Sequence, residues 1–225
     1  MADKPETVVL LSGGLDSAVL VAAEARRARV HPVYVSVGLA WEAAERNRLA
    51  ALLSGPALAG RVAPVVELAF TMRDVYPATH WAIRGEPPAF DTPDEDVYLV
   101  GRNIVLLSKA AVFAAQRNLP RIALGLLAGN PFPDATPAFL ASMSRALSLG
   151  LDYELQIDTP FATRHKSDVI RLGRELNVPL GLTLSCMSPE DGRHCGRCSK
   201  CRERRDAFHE AGVPDPTEYA TPPKR

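Results

Sequence analysis

The stretch Leu11-Ser12-Gly13-Gly14-Leu15-Asp16-Ser17 follows directly on the apolar run 7–10 and precedes a segment rich in Ala, Val and Leu. Set between a strand and a helix, such a loop can aim successive backbone N–H groups and a helix N-terminus at an anion. Gly13 and Gly14 admit positive φ and let oxygen atoms approach the main chain, while Ser12 and Ser17 add hydroxyl donors. Asp16 suits two tasks: capping the following helix, or holding a magnesium ion that bridges to phosphate. There is no Gly-Lys-Ser/Thr ending and no G-x-G-x-x-G, so the P-loop and dinucleotide patterns are excluded. An ordinary strand-to-helix turn is the competing interpretation; the strand before the loop and the helix after it favour phosphate.

A second constellation lies near the other end. The four cysteines, Cys186, Cys195, Cys198 and Cys201, fall within sixteen residues, with Gly192 and Gly196 permitting tight turns between them. Disulfide scaffolds spread their cysteines across a small secreted chain, whereas this clustering suits a metal. Four thiolates at about 2.3 Å give Zn2+ a closed tetrahedral site without an open position, the form of a structural ion. An Fe–S cluster, unligated thiols, or His194 in place of a cysteine compete with that view. Arg193, Arg197, Lys200, Arg202, Arg204 and Arg205 crowd the same segment. Alone they resemble a nucleic-acid-binding ribbon. Zinc with four thiolates carries a net charge of about −2, however, so basic neighbours that donate hydrogen bonds to sulfur are the expected surroundings.

These groups need a scaffold to hold them. Apolar, β-rich runs at 7–11, 32–37, 62–69, 121–126 and 154–159 alternate with helical segments at 17–28, 42–53, 102–118 and 137–149, and a further helix follows at 166–176. The alternation predicts an α/β fold, a Rossmann-like parallel sheet with helices on both faces, whose ligands bind beyond the strand C-termini. The stretch 71–98 breaks the rhythm with four prolines and the acidic residues Asp91, Asp94, Glu95 and Asp96; a connection this long is functional or mobile, and its acidic run reads as a solvated loop before a metal site. Residues 1–185 form the α/β domain, 186–225 a small C-terminal zinc-binding element, and the tail 217–225 reads as a frayed end.

The 225 residues, 47% apolar, suffice for one substantial core. Twenty-six basic and 26 acidic residues balance, so the chain as a whole presents no field that draws in a nucleic acid. No run approaches the ~20 apolar residues of a membrane span, and the charged start at residues 1–6 does not read as a signal peptide. A cytoplasmic protein with no membrane contact is expected. His31, His80, His165 and His209 show no paired spacing and read as surface or core residues.

The S-G-G-x-D-S pattern over residues 12–17 resembles the pyrophosphate loop of the PP-loop ATP-pyrophosphatase superfamily, which implies an adenine nucleotide alpha-hydrolase-like fold and cleavage of ATP between its α and β phosphates. Combined with the four cysteines, it resembles the 7-cyano-7-deazaguanine synthase family of queuosine biosynthesis over nearly the whole chain. Leu184-Ser185-Cys186 and the run from His194 to Arg204 are similar to that family's T-C…C-G-x-C-x-x-C-x-x-R ending. Tyr98-Leu99-Val100-Gly101-Arg102-Asn103 resembles its Y-V-P-G-R-N, Phe132-Pro133-Asp134 its Y-P-D, and Thr159-Pro160-Phe161 with Lys166 its T-P-L…T-K.

The resemblance implies that 7-carboxy-7-deazaguanine is adenylated on its carboxylate, that ammonia displaces AMP to give an amide, and that a second adenylation dehydrates the amide to a nitrile. It implies ATP, Mg2+ and Zn2+ as cofactors; Leu11 to Ser17 with Gly101, Arg102 and Asn103 as nucleotide-binding residues; and Asp16, Arg102, Asp134 and Lys166 as catalytic ones. Arg102 and Lys166 are the donors for developing phosphate charge, and Asp16 and Asp134 the magnesium ligands. Each has a plainer alternative: Arg102 as a surface residue, Asp134 as cap of the next helix, Lys166 as a helix-opening cation that needs a nearby anion. Leu11, Leu39 and the end of the second strand are the expected adenine contacts. No glutaminase is evident, so ammonia arrives free or from a partner, and a homodimer fits the family.

The chain departs from the family after its second strand, where D-Y-G-Q-R-H is replaced by Ser36-Val37-Gly38-Leu39-Ala40-Trp41, and after Asp134, where Ala135 and Thr136 replace Cys and Arg. Both departures fall where adenine and the second substrate are expected. A sibling ligase that forms an amide from another carboxylate, and a zinc-ribbon nucleic-acid-binding module with an inactive loop, are the alternatives.

Overall fold

The computed structural model describes residues 4–222. Five parallel strands, β1 (Glu6–Leu10), β2 (Arg29–Ser36), β3 (Val66–Ala69), β4 (Arg121–Ala123) and β5 (Gln156–Asp158), form one sheet in the order β3-β2-β1-β4-β5. Register is set by pairs such as Leu10 with Val33, Val9 with Ala123 and Ile122 with Ile157. Among the described residues seven α-helices connect and cover them: α1 (Leu15–Glu24), α2 (Glu42–Ser54), α3 (Trp81–Arg84), α4 (Arg102–Gln116), α5 (Pro137–Leu151), α6 (Lys166–Glu175) and α7 (Ser199–Ala211).

Val8 and Val9 of β1 are fully buried, one towards each of two cores. Central parallel strands read as continuous apolar runs because both faces are covered. Leu107 and Ala111 of α4 and Leu140 of α5 fill one core, which Met72, Tyr76, Ala82 and Val97 complete. The stretch 71–98 is therefore not a free loop: it includes α3 and packs as a cover, with the Tyr76 hydroxyl donating to the Val100 carbonyl at 2.9 Å. Leu20, Leu49 and Ile170 of α1, α2 and α6 fill the other core, together with Ala207 and Phe208 of α7.

Several strands are shorter than their apolar runs. Val62 makes an isolated bridge with Val30, but Pro64, which lacks an N–H, separates it from β3. Beyond Ala123 one more bond, from Leu124 N–H to the Asp158 carbonyl at 3.0 Å, ends the ladder, and the chain turns against α1. A Cβ on Gly125 would stand 3.3 Å from the Asp16 carbonyl carbon, so only glycine lets this segment lie so close.

The tail corrects the expectation of a frayed end. His194 N–H donates to the Glu218 carbonyl at 3.0 Å, and Ala220 N–H to the His194 carbonyl at 2.7 Å. Residues 218–220 thus dock on the cysteine element; 223–225 lie outside the described residues.

Gly173 is where α6 meets α1, and an added Cβ would stand 2.8 Å from Val19 Cγ2 and 2.9 Å from Leu180 Cδ2. Gly173→Val is expected to cost about 2 kcal/mol by overpacking, because Val19 has no rotamer freedom to yield. Urea denaturation reads this as a lowered midpoint at unchanged slope.

Candidate active site

Chain order reverses between β1, which continues to β2, and β4 on its other side; ligands in such sheets bind beyond the strand ends at this switch point. The loop leaving β1 there is already set by its own bonds. Ser17 Oγ donates to the Gly14 carbonyl at 3.0 Å and accepts from Ser12 N–H at 3.3 Å, and Ser12 Oγ accepts from Gly14 N–H at 3.3 Å. Gly13 takes φ 79°, and a Cβ there would meet Leu49 Cδ2 at 3.3 Å. Its carbonyl accepts Leu184 N–H at 2.9 Å, which ties the loop to the segment leading into Cys186. The first N–H groups of α1 have no helical acceptor and remain available to an anion.

The lysine missing from the loop arrives from α6. Lys166 Nζ stands 3.3 Å from Asp16 Oδ2 and 2.6 Å from Glu203 Oε1; Lys200 Nζ stands 2.7 Å from Glu203 Oε2 and 3.5 Å from Asp94. Burial alone would lower the Lys166 ammonium, but Asp16 and Glu203 outweigh it and hold it above the ordinary lysine range. Burial likewise raises Glu203, yet Lys166 and Lys200 pull it down to about 2. Asp94 thus belongs to this network, unlike the solvated acidic run expected around it.

Arg102 and Asn103 open α4 after Gly101, whose left-handed φ of 76° turns the chain into the helix. Asp134 is buried, and both its oxygens serve this helix: Oδ2 accepts from Asn103 N–H at 3.0 Å and Oδ1 from Asn103 Nδ2 at 3.1 Å. The helix after Asp134 is capped by Thr136, whose Oγ1 accepts from Phe139 N–H at 3.2 Å. Burial raises the Asp134 carboxyl, against the lowering effect of the Asn103 bonds and Arg102.

Two cavities, of about 400 and 180 Å3, adjoin over this loop. Ser12, Gly14, Asp16, Glu45, Arg102 and Asn103 line both. Leu15, Asp134 and Lys166 line only the larger, Leu11 and Ser17 only the smaller. Gly13 and Gly101 line neither and act through backbone shape; Leu39 is buried in the core, while Tyr34 and Val35 of β2 reach the smaller cavity. Of the departures at 36–41 only Trp41 lines the larger one, where it stacks on Trp81 at 5.8 Å, and Tyr98 stacks on Phe132 at 5.0 Å. Asp16 Oδ1 and Arg102 Nε are buried without a hydrogen-bond partner among the described residues. A carboxylate oxygen left free beside a phosphate loop fits magnesium.

The four cysteine sulfurs are buried and lie within 4.8 Å of one another. Observed separations of 4.0, 3.9 and 3.5 Å match the ~3.8 Å edge of a tetrahedron with ~2.3 Å metal–sulfur bonds, whereas sulfurs spread around an Fe–S cluster stand farther apart. Backbone N–H groups of Ser188, Cys195 and Arg197 donate to the sulfurs. This corrects the expectation that basic side chains would do so. Arg202 donates to the Thr92 carbonyl, Arg197 pairs with Glu190, Arg205 with Asp206, and Arg204 is buried on neutral acceptors. His194 is no ligand: its Nε2 accepts from Ser185 N–H at 3.1 Å, and burial, Arg204 and Arg48 hold it down to about 3.

The family model for "Queuosine biosynthesis protein QueC" matches residues 6–212. This chain belongs to that family. Among its QueC-family relatives, the 7-cyano-7-deazaguanine synthase of Anaeromyxobacter dehalogenans (strain 2CP-C) is 38% identical over 95% of each chain. That of Methanopyrus kandleri (strain AV19) is 34% identical over 95% of this chain and 98% of its own. A solved structure, the U34-tRNA thiolase NcsA from Methanococcus maripaludis with its 4Fe–4S cluster, is similar at TM-score 0.52 and 10% identity, covering 93% of this chain and 68% of that one, which speaks to the fold alone. Among the described residues no helix is long and apolar enough to cross a membrane.

In this QueC-family chain the sequence-based reading missed Glu203, Lys200 and Glu45. Glu203 stood inside the motif that carried the resemblance, and its i,i+3 spacing from Lys200 was its only other signal. Glu45 had none, because its neighbours Tyr34 and Arg102 lie on other elements.

Glu203 titrates below its ordinary value of 4.5, so its interaction is fully present above that pH and is lost as pH falls towards about 2. Glu203→Gln is expected to lower stability by about 2 kcal/mol at pH 7, with the gap to wild type closing below pH ~4; paired urea titrations against pH measure it. Cys198→Ser is expected to lose the metal and, through Leu184 and Gly13, loop function and solubility. Metal content and soluble yield read out together, and a soluble, metal-free, fully active variant would contradict a structural ion.

Proposed function

We propose that the chain is an ATP-dependent carbon–nitrogen ligase that converts 7-carboxy-7-deazaguanine and ammonia to 7-cyano-7-deazaguanine, releasing AMP and pyrophosphate. The observation that carries it is the junction of two cavities over a phosphate loop, with Arg102 and Lys166 beside it, in a chain whose relatives bear that enzyme's name. The sibling ligase and the nucleic-acid module are not favoured.

Carboxylate and ammonia do not condense unaided at neutral pH because hydroxide leaves poorly; oxygen must first become part of a better leaving group. The smaller cavity, walled by Leu11, Val35 and Leu124, takes the adenine, and the larger takes the planar acid between its aromatic pairs. Their shared lining puts the α-phosphate beside the carboxylate. The first N–H groups of α1 and the Ser12 hydroxyl hold the departing pyrophosphate, with Ser17 bracing the loop through the Gly14 carbonyl. Arg102, with its Nε free, neutralises charge on the α-phosphate, and Lys166 does so towards the leaving group. Magnesium, when bound, screens phosphate charge, with Asp16 Oδ1 as its ligand. Asp134 acts by fixing the start of α4, hence Arg102. Zinc on the four cysteines folds the element 186–225 against the domain 1–185. A cytoplasmic homodimer fits the family.

Incubation with ATP, ammonium and the acid is expected to yield the nitrile with two AMP and two pyrophosphate by mass spectrometry; ADP and orthophosphate would overturn the proposal. Asp16→Asn is expected to reduce AMP formation by ~10²-fold or more with the fold intact by circular dichroism.

A further inference from the structure

Glu45 is a buried carboxylate at the junction of the two cavities to which the scheme above gives no task. It sits in the first turns of α2, its own carbonyl packed against Gly13, and its Oε2 accepts the Tyr34 hydroxyl at 2.8 Å. Arg102 of α4 and Tyr34 of β2 favour its charge, as does the Trp41 side chain, while Glu42 of its own helix opposes it. Asp16 of α1 and Lys166 of α6 share the larger cavity with it. Burial outweighs its charge-favouring partners, and the carboxyl is pushed up to about 7. A carboxylate so placed is half ionised where proton transfer is most useful.

The chemistry, resting on the nitrile-synthase reading, needs such a group at defined moments. Adenylating the acid forms a bond from carboxylate oxygen to the α-phosphorus and breaks the one to pyrophosphate, with no proton released. Every later step breaks an N–H bond. Ammonia attacks the acyl carbon, AMP leaves with the C–O electrons, and nitrogen sheds one proton to become the amide. The amide oxygen attacks a second ATP, pyrophosphate leaves, and nitrogen sheds a second. AMP then departs as the third N–H bond breaks and its electrons complete the C≡N bond. No redox partner is required. We propose that Glu45 is the proton acceptor for these nitrogen steps, oriented by the Tyr34 hydroxyl.

Two half-reactions separate the roles. Supplied with ATP and the acid but no ammonium, Glu45→Gln is expected to give a pyrophosphate burst of wild-type amplitude. Supplied with ATP and the preformed amide, which removes ammonia's own titration, it is expected to form nitrile at least ~10²-fold more slowly. Wild-type rates on the amide should rise with pH through an apparent pKa near 7. Tyr34→Phe, which removes a bond favouring the carboxylate, should move that limb to higher pH, and it serves as the second variant if Glu45→Gln does not fold. A Glu45→Gln rate on the amide equal to wild type, equal loss of burst and amide turnover, or an unmoved limb in Tyr34→Phe would each overturn the assignment. Wild-type protein that makes no nitrile from acid or amide would instead remove the functional reading itself.

Discussion

A buried ammonium at the start of a helix is opposed twice, by the helix dipole at about 0.3–1 kcal/mol and by loss of water. Lys166 stands there because Asp16 and Glu203 surround it. That requirement joins three pieces far apart in the chain: the loop after β1, the N-terminus of α6 and the cysteine-bearing α7. None can move without stranding a charge, and leaving such a part-buried group unpaired costs about 1–3 kcal/mol. The geometry around the loop is thereby held before substrate arrives. Such preorganisation is what electrostatic catalysis of phosphoryl chemistry needs.

The cysteine element contributes to the same end by a second route. Leu184 N–H grips the Gly13 carbonyl, and Cys186 follows two residues later. Thr183 and Ser185, on either side of Leu184, accept from the Arg204 guanidinium at 2.9 and 3.1 Å, while its other donors reach Leu180 and Thr217. Fully buried yet on neutral acceptors only, Arg204 ties α7, the tail and the loop support into one piece. A metal with no open coordination position can therefore matter to turnover without touching substrate.

The alternation of five strands with α1, α2, α4, α5 and α6 was legible in the sequence because parallel strands covered on both faces leave unbroken apolar runs, and because glycines mark the turn at Gly13 and the entry to α4 at Gly101; α3, α7 and the strand order were not. The loop and the four cysteines were legible because their chemistry depends on local spacing. What escaped depends on distant packing. Glu45 gains its neighbours from β2 and α4, Glu203 meets Lys166 across 37 residues, and the tail docks on His194 through backbone bonds that no side chain announces. Asp134 was read as a magnesium ligand, with capping of the following helix as the alternative, whereas the fold brings the start of α4 to its oxygens.

Isotope transfer reports whether the nucleotide passes to a carboxylate oxygen. The acid would be prepared with ¹⁸O in both carboxylate positions and turned over with unlabelled ATP and ammonium. Each AMP released should carry one ¹⁸O, because both oxygens leave the carbon on adenylate. AMP free of label, or label found in orthophosphate, would contradict the account.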